Sequence, residues 1–139
     1  MRHLAIDFGE KRIGLAYSDA KEVVATPIRS IKRQNDEQAI TEILQVCAER
    51  NSEVVIVGMP YGRDLRVTDQ TKRVKNFINK LTTALKIPVR IWNETGTTEE
   101  VIHENPDTKD VDAEAACLIL QDYLDRSSKR KNLYCLLFS

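Results

Sequence analysis

The chain has 139 residues, of which 42% are hydrophobic and 30% are charged, a composition typical of a water-soluble protein of one domain. Its 21 basic and 21 acidic residues give a formal net charge of zero, so overall basicity offers no argument for nucleic-acid binding, although local basic patches are not excluded. No apolar run approaches the roughly 20 residues that a membrane span requires. We therefore expect no membrane partner and a cytoplasmic protein, with no room for a signal peptide before the first strand.

The cysteines and histidines give no metal motif. Cys47, Cys117 and Cys135 are far apart in sequence and lack the spacing of a zinc site. The first two lie in helical patterns, where a free thiol behaves as a small hydrophobic side chain. His3 and His103 are also far apart, and we expect both on the surface.

The first predicted element is a β-hairpin. Its two apolar runs, residues 4–9 and 13–19, are joined by a short charged turn that contains Lys11 and Arg12. Asp7 lies at the end of the first run, where loss of hydration costs a carboxylate several kcal/mol unless a cation or hydrogen-bond donors replace the water. Asp7 therefore either binds a metal or caps the turn, and this stretch alone leaves both open.

Three further strands follow from short β-branched runs. Residues 23–28 predict a strand that completes an antiparallel meander, and Pro27 predicts that it lies at the edge, because proline cannot donate to a neighbouring strand. The continuous apolar run 54–57 predicts a strand buried on both faces, as in a parallel arrangement. Residues 88–92 predict the last strand, which ends just before Asn93 and Glu94.

Helical spacing predicts helices over residues 36–50, 68–85, 98–103 and 112–126. The second has an apolar stripe for packing on the sheet, and its basic residues off the stripe are expected on a solvated face: Lys72, Arg73, Lys75 and Lys80. The element order predicts an α/β fold with a mixed five-stranded sheet, three antiparallel strands followed by parallel ones, and helices on both faces. One domain is expected over residues 1–126.

Residues 127–139 form a basic and then apolar tail, which predicts either an edge strand or a segment docked on the domain. A strand over residues 133–138 could pair with a second copy of the chain. Monomer and homodimer therefore both remain open.

Three carboxylates are predicted at ends of elements. If the first and last strands are parallel neighbours, Asp7 and Glu94 emerge at one edge of the sheet, where ligands of such folds bind, and Asp112 begins a helix nearby. Clustered carboxylates repel one another unless they share divalent cations, and oxygen ligands alone select Mg²⁺ or Mn²⁺. Two such ions can promote phosphodiester hydrolysis. Asp112 could equally be a plain N-cap.

The chain resembles the YqgF family, the Holliday-junction-resolvase-like proteins also described as pre-16S rRNA nucleases. The resemblance covers roughly residues 2–125. The similar segments, in chain order, are Asp7-Phe8-Gly9 with Lys11, Ile13-Gly14 and Ala16; Val57-Gly58-Met59-Pro60; Gln70-Thr71 with Val74 and Phe77; Asn93-Glu94 with Thr97-Thr98-Glu99; and Val111-Asp112 with Ala115-Ala116, Ile119-Leu120 and Tyr123-Leu124.

The resemblance implies a ribonuclease H-like fold and a metal-dependent nuclease in which Asp7, Glu94 and Asp112 are the catalytic, metal-binding carboxylates. The implied substrate is structured RNA, with processing of the 5′ end of pre-16S ribosomal RNA as the activity. Two alternatives are a resolvase of four-way DNA junctions and a non-catalytic RNA-binding assembly factor.

The chain departs from the family pattern beside these carboxylates. Asn93 stands where the family usually has aspartate, which removes one negative charge. Thr95 stands where the family has arginine, and it cannot grip a phosphate with two hydrogen bonds as a guanidinium does. Leu65 occupies a usual glycine position. These departures weaken the expected phosphate binding and leave a weakened, altered or lost nuclease activity open.

Basic residues near the predicted edge are candidates for contact with nucleic acid. They are Lys11, Arg12, Arg63, Arg66 and Lys72. The rival enzyme class is the actin-like and Hsp70-like ATPases, whose first phosphate loop also follows a strand with Asp-x-Gly. Those proteins enclose the nucleotide between two such domains, so one domain of 139 residues argues against them.

Overall fold

The structure, a computed structural model, describes residues 1–59, 66–93 and 110–138, and the side chains of all of these except Asn93 and residues 127–138. The strands are β1 His3–Phe8, β2 Arg12–Ser18, β3 Ala25–Lys32, β4 Val54–Met59 and β5 Val89–Asn93, and the helices are α1 Asp36–Arg50, α2 Asp69–Ala84 and α3 Val111–Phe138. The helix predicted over residues 98–103 lies outside the described residues.

The five strands form one mixed sheet in the order β3-β2-β1-β4-β5. β1 is antiparallel to β2, and β2 is antiparallel to β3. β4 is parallel to β1, and β5 is parallel to β4. This arrangement confirms the predicted sheet. It also brings the ends of β1, β4 and β5 to one edge, together with the β1–β2 turn, and we call this the site edge.

Helices α1 and α2 cover one face of the sheet. Alternate residues of β1, including Ile6 and Phe8, point into this core. The ring of Phe8 lies 4.6 Å from that of Phe77 in α2, centroid to centroid. The predicted stripe of α2 is buried here, and the helix begins with a capping box in which Thr68 and Thr71 exchange hydrogen bonds.

Helix α3 covers the other face, where the sheet carries small residues. Ala5 of β1 and Ala16 of β2 pack beneath Ala116 and Leu120 of α3. Small side chains on both surfaces let the helix approach the sheet closely. β4 contributes to both cores, and its residues 54–57 are fully buried, as the continuous apolar run predicted.

Strand β3 begins later and ends later than predicted. It covers Ala25–Lys32, whereas Val23 and Val24 are exposed and precede it. Pro27 pairs with Ala16 beside a bulge in the β2–β3 register. β3 is an edge strand, which confirms the expectation from proline.

Helix α3 is longer than predicted. It begins at Val111 and its backbone stays helical to Phe138, so the expected end at Arg126 was wrong and the tail is not an edge strand. Local helical hydrogen bonding continues through the basic and apolar tail residues. In the part of the chain that the structure describes, no helix is both long enough and apolar enough to cross a membrane.

His3 is buried, with 3% of its surface exposed, so the prediction of a surface histidine was wrong for this residue. It opens β1 and faces α3, where its Nδ1 lies 3.1 Å from Ser18 Oγ and its ring packs 5.4 Å from Tyr123. Burial lowers the pKa of His3 and the N-terminal ammonium adds to this, while Glu22 opposes it. His103 lies outside the described residues.

The two described cysteines are structural. Cys47 is buried in the α1 core and Cys117 is half-buried beneath β3, where its thiol donates to Ala25 O at 3.2 Å. Burial raises the pKa of each thiol to about 11. Both therefore stay protonated at neutral pH and behave as the small hydrophobic residues that were predicted.

Candidate functional site

Asp7 lies near the end of β1 on the face that α3 covers. Its neighbours Ile6 and Phe8 point into the core beneath α1 and α2. Because side chains alternate along a strand, Asp7 points to the same face as Ala5, which packs against α3. Asp7 pairs with Gly14 of β2 and its side chain is half-buried. It is thus a partly desolvated carboxylate at the site edge, as the hairpin pattern predicted.

Gly14 brings the start of α3 against this position. A Cβ placed on Gly14 would lie 1.8 Å from the backbone oxygen of Asp112, so only glycine fits there. Because Gly14 is opposite Asp7 in the sheet, the first turn of α3 lies directly over the end of β1. The structure therefore brings Asp7 and Asp112 to the same face and the same edge.

Asp110, not Asp112, caps helix α3. The Asp110 carboxylate accepts from Ala113 N at 3.0 Å through one oxygen and from Ser30 N at 2.7 Å through the other. These bonds satisfy a free amide at the helix start and join it to β3. The N-cap interpretation of Asp112 was therefore wrong. Sequence reasoning missed Asp110, although an aspartate three residues before Ala113 fits the N-cap pattern.

The half-buried Asp112 carboxylate lies in a negative environment. Burial raises its pKa, the nearby Asp110 raises it further, and Arg12 opposes both. Arg12, a predicted basic residue, is therefore near enough to Asp112 to lower its pKa. A cation placed here would relieve the repulsion between the carboxylates.

β5 ends at the same edge, but it is not the neighbour of β1. β4 lies between them, so the two strands are about 10 Å apart rather than adjacent, and the sequence interpretation that made them neighbours was wrong. Asn93 pairs with Met59, which keeps the end of β5 level with the end of β1. Glu94 follows Asn93 in the chain and lies outside the described residues, as does Thr95.

The predicted basic residues that the structure describes lie at the β1–β2 turn and near the start of α2. Lys11 and Arg12 are exposed at the β1–β2 turn, and Arg66 and Lys72 are exposed before and within the first turn of α2. Arg63 and Leu65 lie outside the described residues. Among residues 1–59, 66–92 and 110–126, no three acidic, histidine or cysteine side chains form a group that could hold a metal ion.

Comparison with known proteins assigns the chain to a family. The family model described as RuvX, Holliday junction resolvase, matches residues 1–126. The chain belongs to this family. The match confirms the resemblance drawn from the motifs, and it spans the predicted domain together with Asp7, Glu94 and Asp112.

Two curated relatives support the assignment to the RuvX family over nearly the whole chain. A protein of Clostridium kluyveri is 34% identical over 137 residues, covering 93% of this chain and 100% of the relative. A protein of Chloroflexus aurantiacus is 36% identical over 137 residues, covering 93% and 90%. Both are named as candidate pre-16S rRNA nucleases.

Solved structures show the same fold. RuvC of Thermus thermophilus superposes with a TM-score of 0.58 at 15% identity, covering 93% of this chain and 97% of RuvC. The Holliday junction resolvase of fowlpox virus gives 0.57 at 16%, covering 91% and 99%. The ribonuclease H-like fold implied by the sequence is therefore confirmed.

Proposed function

We propose that this member of the RuvX family is a metal-dependent nuclease that hydrolyses phosphodiester bonds in structured RNA, with the 5′ end of pre-16S ribosomal RNA as its substrate. The observation that supports the proposal is the close approach of the Asp112 backbone to Gly14, which is the β2 partner of Asp7 at the site edge. The names of the relatives supply the substrate class. Ribosomal RNA is processed where ribosomes assemble, so we assign the activity to the cytoplasm.

Asp7, Glu94 and Asp112 are the proposed metal ligands. The donor set fits Mg²⁺ or Mn²⁺, because all three offer hard carboxylate oxygens and because the repulsion around Asp112 favours a nearby cation. Glu94 directly follows β5, whose described residue Trp92 packs on the α3 side of the sheet. When bound, such ions activate a water and stabilise the leaving oxygen in an in-line displacement.

The other proposed roles belong to the basic side chains. Arg12, beside Asp112, and Lys11 would hold the phosphate group over the carboxylates. Arg66 and Lys72 at the start of α2, and Arg63 before them, would bind phosphates farther along the strand. Thr95 supplies no positive charge where the family resemblance implies arginine, so more of the binding to the phosphate backbone would fall to these basic residues.

A four-way DNA junction is the second candidate substrate. The family is described as Holliday junction resolvases, and RuvC of T. thermophilus and the fowlpox virus resolvase have both been solved with Holliday junctions. An enzyme of this kind cuts two strands symmetrically. It would therefore need two copies of the site, so this activity would require a homodimer, whereas RNA processing is open to a monomer.

The test is a cleavage assay with Mg²⁺ or Mn²⁺ on a 16S rRNA precursor fragment and on a four-way DNA junction. We expect cleavage of the RNA, and at least about a hundredfold loss of rate in Asp7→Asn, since metal-assisted stabilisation is worth several kcal/mol and about 1.4 kcal/mol is a factor of ten. The matched control is Asp19→Asn, whose carboxylate accepts from Lys21 N and Glu22 N in a turn away from the site edge.

Each outcome separates the candidates. Equal rates for wild type and Asp7→Asn would contradict the carboxylate mechanism. Cleavage of the junction alone would favour the resolvase. Tight RNA binding without metal-dependent cleavage of either substrate would identify a non-catalytic assembly factor.

A further inference from the structure

A polar cleft of about 240 Å³ lies at the site edge, on the face of the sheet that α1 and α2 cover. The proposed nuclease mechanism uses none of its polar side chains. Its lining residues are Phe8, Glu10, Arg33, Asp36, Arg73 and Asn76. Phe8 directly follows Asp7 in β1 and points to the opposite face. The cleft and the carboxylates therefore lie on opposite faces of the sheet, next to the same β1–β2 turn.

Arg33 is fixed in this cleft. Its Nε and Nη2 donate to Asp36 Oδ1 at 2.9 and 2.7 Å, and its guanidinium lies 5.6 Å from the centre of the Phe8 ring. Its Nη1 donates to the backbone oxygen of Glu10 at 3.0 Å. Only 24% of the Arg33 side chain is exposed. Binding an anion here would require little further loss of side-chain freedom.

Asp36 keeps Arg33 in place. Burial alone would raise the pKa of Asp36, but hydrogen bonds from Arg33 and from Lys80 outweigh it and hold the pKa below its usual value. Lys80 Nζ lies 3.0 Å from the second carboxylate oxygen. The carboxylate is thus shared by two cations, and Lys80 also lies 3.8 Å from Glu37 Oε1. The charges at the cleft therefore balance in the free protein, and the cleft becomes net positive when Glu10 leaves Arg73.

Arg73 is paired differently. Its guanidinium contacts the Glu10 carboxylate, and the two side chains are 52% and 59% exposed. Exposed pairs of this kind contribute little to stability, so a competing anion can replace Glu10 with little loss. Glu10 belongs to the turn between the cleft and the carboxylates, so it can move without unfolding a strand.

We propose that the cleft is a phosphate subsite for the nucleic-acid backbone, in which Arg33 and Arg73 bind a phosphate near the one that is cleaved and Glu10 occupies the place of that phosphate in the free protein. This inference rests on the proposed nuclease function. A nucleic-acid strand that crosses the β1–β2 turn would present one phosphate to Asp7 and Asp112 and another to the cleft. Arg33 and Arg73 are then positioning residues that fix where the strand is cut.

The test measures binding of the full chain to a fluorescently labelled RNA hairpin with a single-stranded 5′ extension, in EDTA and over a series of KCl concentrations. We expect Arg73→Gln to weaken binding about tenfold, the effect of one charge-assisted hydrogen bond, and to reduce the slope of log K against log salt by about 0.7 to 0.9. Glu10→Gln should strengthen binding a few-fold, because the competing carboxylate is removed.

A second exposed Arg–Glu pair gives matched controls. Arg29 and Glu42 are 48% and 36% exposed and lie 4.0 Å apart between β3 and α1. Arg29→Gln and Glu42→Gln change the net charge in the same way, and we expect them to alter binding less than twofold. If Arg29→Gln and Glu42→Gln change RNA affinity as much as Arg73→Gln and Glu10→Gln do, the effect is one of net charge and the subsite proposal is overturned.

The remaining outcomes distinguish the subsite from the nuclease function. If Arg73→Gln binds as the wild type does, with the same salt slope, while RNA cleavage still depends on Asp7, the subsite is wrong and the nuclease stands. If the wild type does not bind RNA, both are wrong. Arg73→Lys tests the geometry: it should restore the salt slope but not the full affinity, since an ammonium cannot form two parallel bonds.

Discussion

Asp7 and Asp112 show how far the sequence around an aspartate can predict the role of its carboxylate. A carboxylate at the end of an apolar strand is costly unless it has a partner, so its neighbours made Asp7 a candidate while leaving metal ligand and turn cap both open. Asp112 was ambiguous, because ligands and N-caps at a helix start use the same residue types. The structure resolves the ambiguity through Asp110, whose carboxylate makes the capping bonds. The spacing of Asp110 from Ala113 was a local signal for this cap, whereas the bond to Ser30, distant in sequence, could not be predicted.

His3 gives a pH dependence that belongs to the residue scale. Burial lowers its pKa in the folded chain below the ordinary value of 6.5, so the unfolded chain binds the proton more readily. The stability that neutral His3 contributes is complete above pH 6.5 and is lost as the pH falls below it. We expect the melting temperature of the wild type to fall more steeply than that of His3→Gln over this acidic range.

Thermal unfolding followed by circular dichroism, on either side of pH 6.5, measures this difference. His103 and the carboxylates are common to both proteins, so their titration cancels in the comparison. Identical pH profiles for the wild type and His3→Gln would show that His3 is not buried as described.

At the scale of elements, the local patterns predicted the strands and helices but not all of their neighbours. Alternation and apolar stripes depend on nearby residues, and they located α1, α2 and β4 closely. The position of β4 between β1 and β5 depends on pairing between distant segments, which no local pattern contains. The late start of β3 has a similar cause, since Val23 and Val24 have β-branched side chains but remain exposed in the fold.

The contact between β2 and α3 predicts the effect of a single methyl group. Gly14→Ala would place a Cβ against the backbone of Asp112, and α3 would have to shift. We expect the free energy of unfolding to fall by about 1–3 kcal/mol, the usual range for overpacking. We also expect a loss of RNA cleavage under conditions in which the variant is still folded, because Asp112 moves with the helix.

The control for this variant is Ala16→Gly, which lies on the same strand and faces the same helix. It removes a methyl group, so it should lower stability, measured by urea denaturation, without displacing the start of α3. Wild-type cleavage by folded Gly14→Ala would contradict the proposed role of this contact.

At the scale of the whole molecule, a net charge of zero conceals an uneven distribution. Basic side chains lie near the site edge at the β1–β2 turn and at the start of α2, while Asp7 and Asp112 lie at this edge on the face that α3 covers. Composition could not reveal this, because the two signs cancel in the sum. The fold separates them by placing carboxylates at the ends of strands and helices and arginines on the turns beside them.

The extent of the domain is the whole-molecule prediction that remains to be tested. Leu124 is the last buried residue of α3 whose side chain is described, and the family match ends at residue 126. We expect a chain that ends at Arg126 to keep its melting temperature within a few degrees and to keep its cleavage activity. A chain that ends at Cys117 also loses Ile119, Leu120 and Leu124 from the core, and it should not fold. Unfolding of the longer variant would place residues 127–139 within the domain.

The central claim is that Asp7, Glu94 and Asp112 together bind divalent metal at the site edge. The most direct measurement is the anomalous scattering of Mn²⁺ in crystals grown with MnCl₂. We predict a peak whose protein ligands are carboxylate oxygens of these three residues, at about 2.0–2.3 Å, close to the distances of other hard divalent ions. A peak elsewhere, or a Glu94 carboxylate directed away from Asp7 and Asp112, would contradict the account.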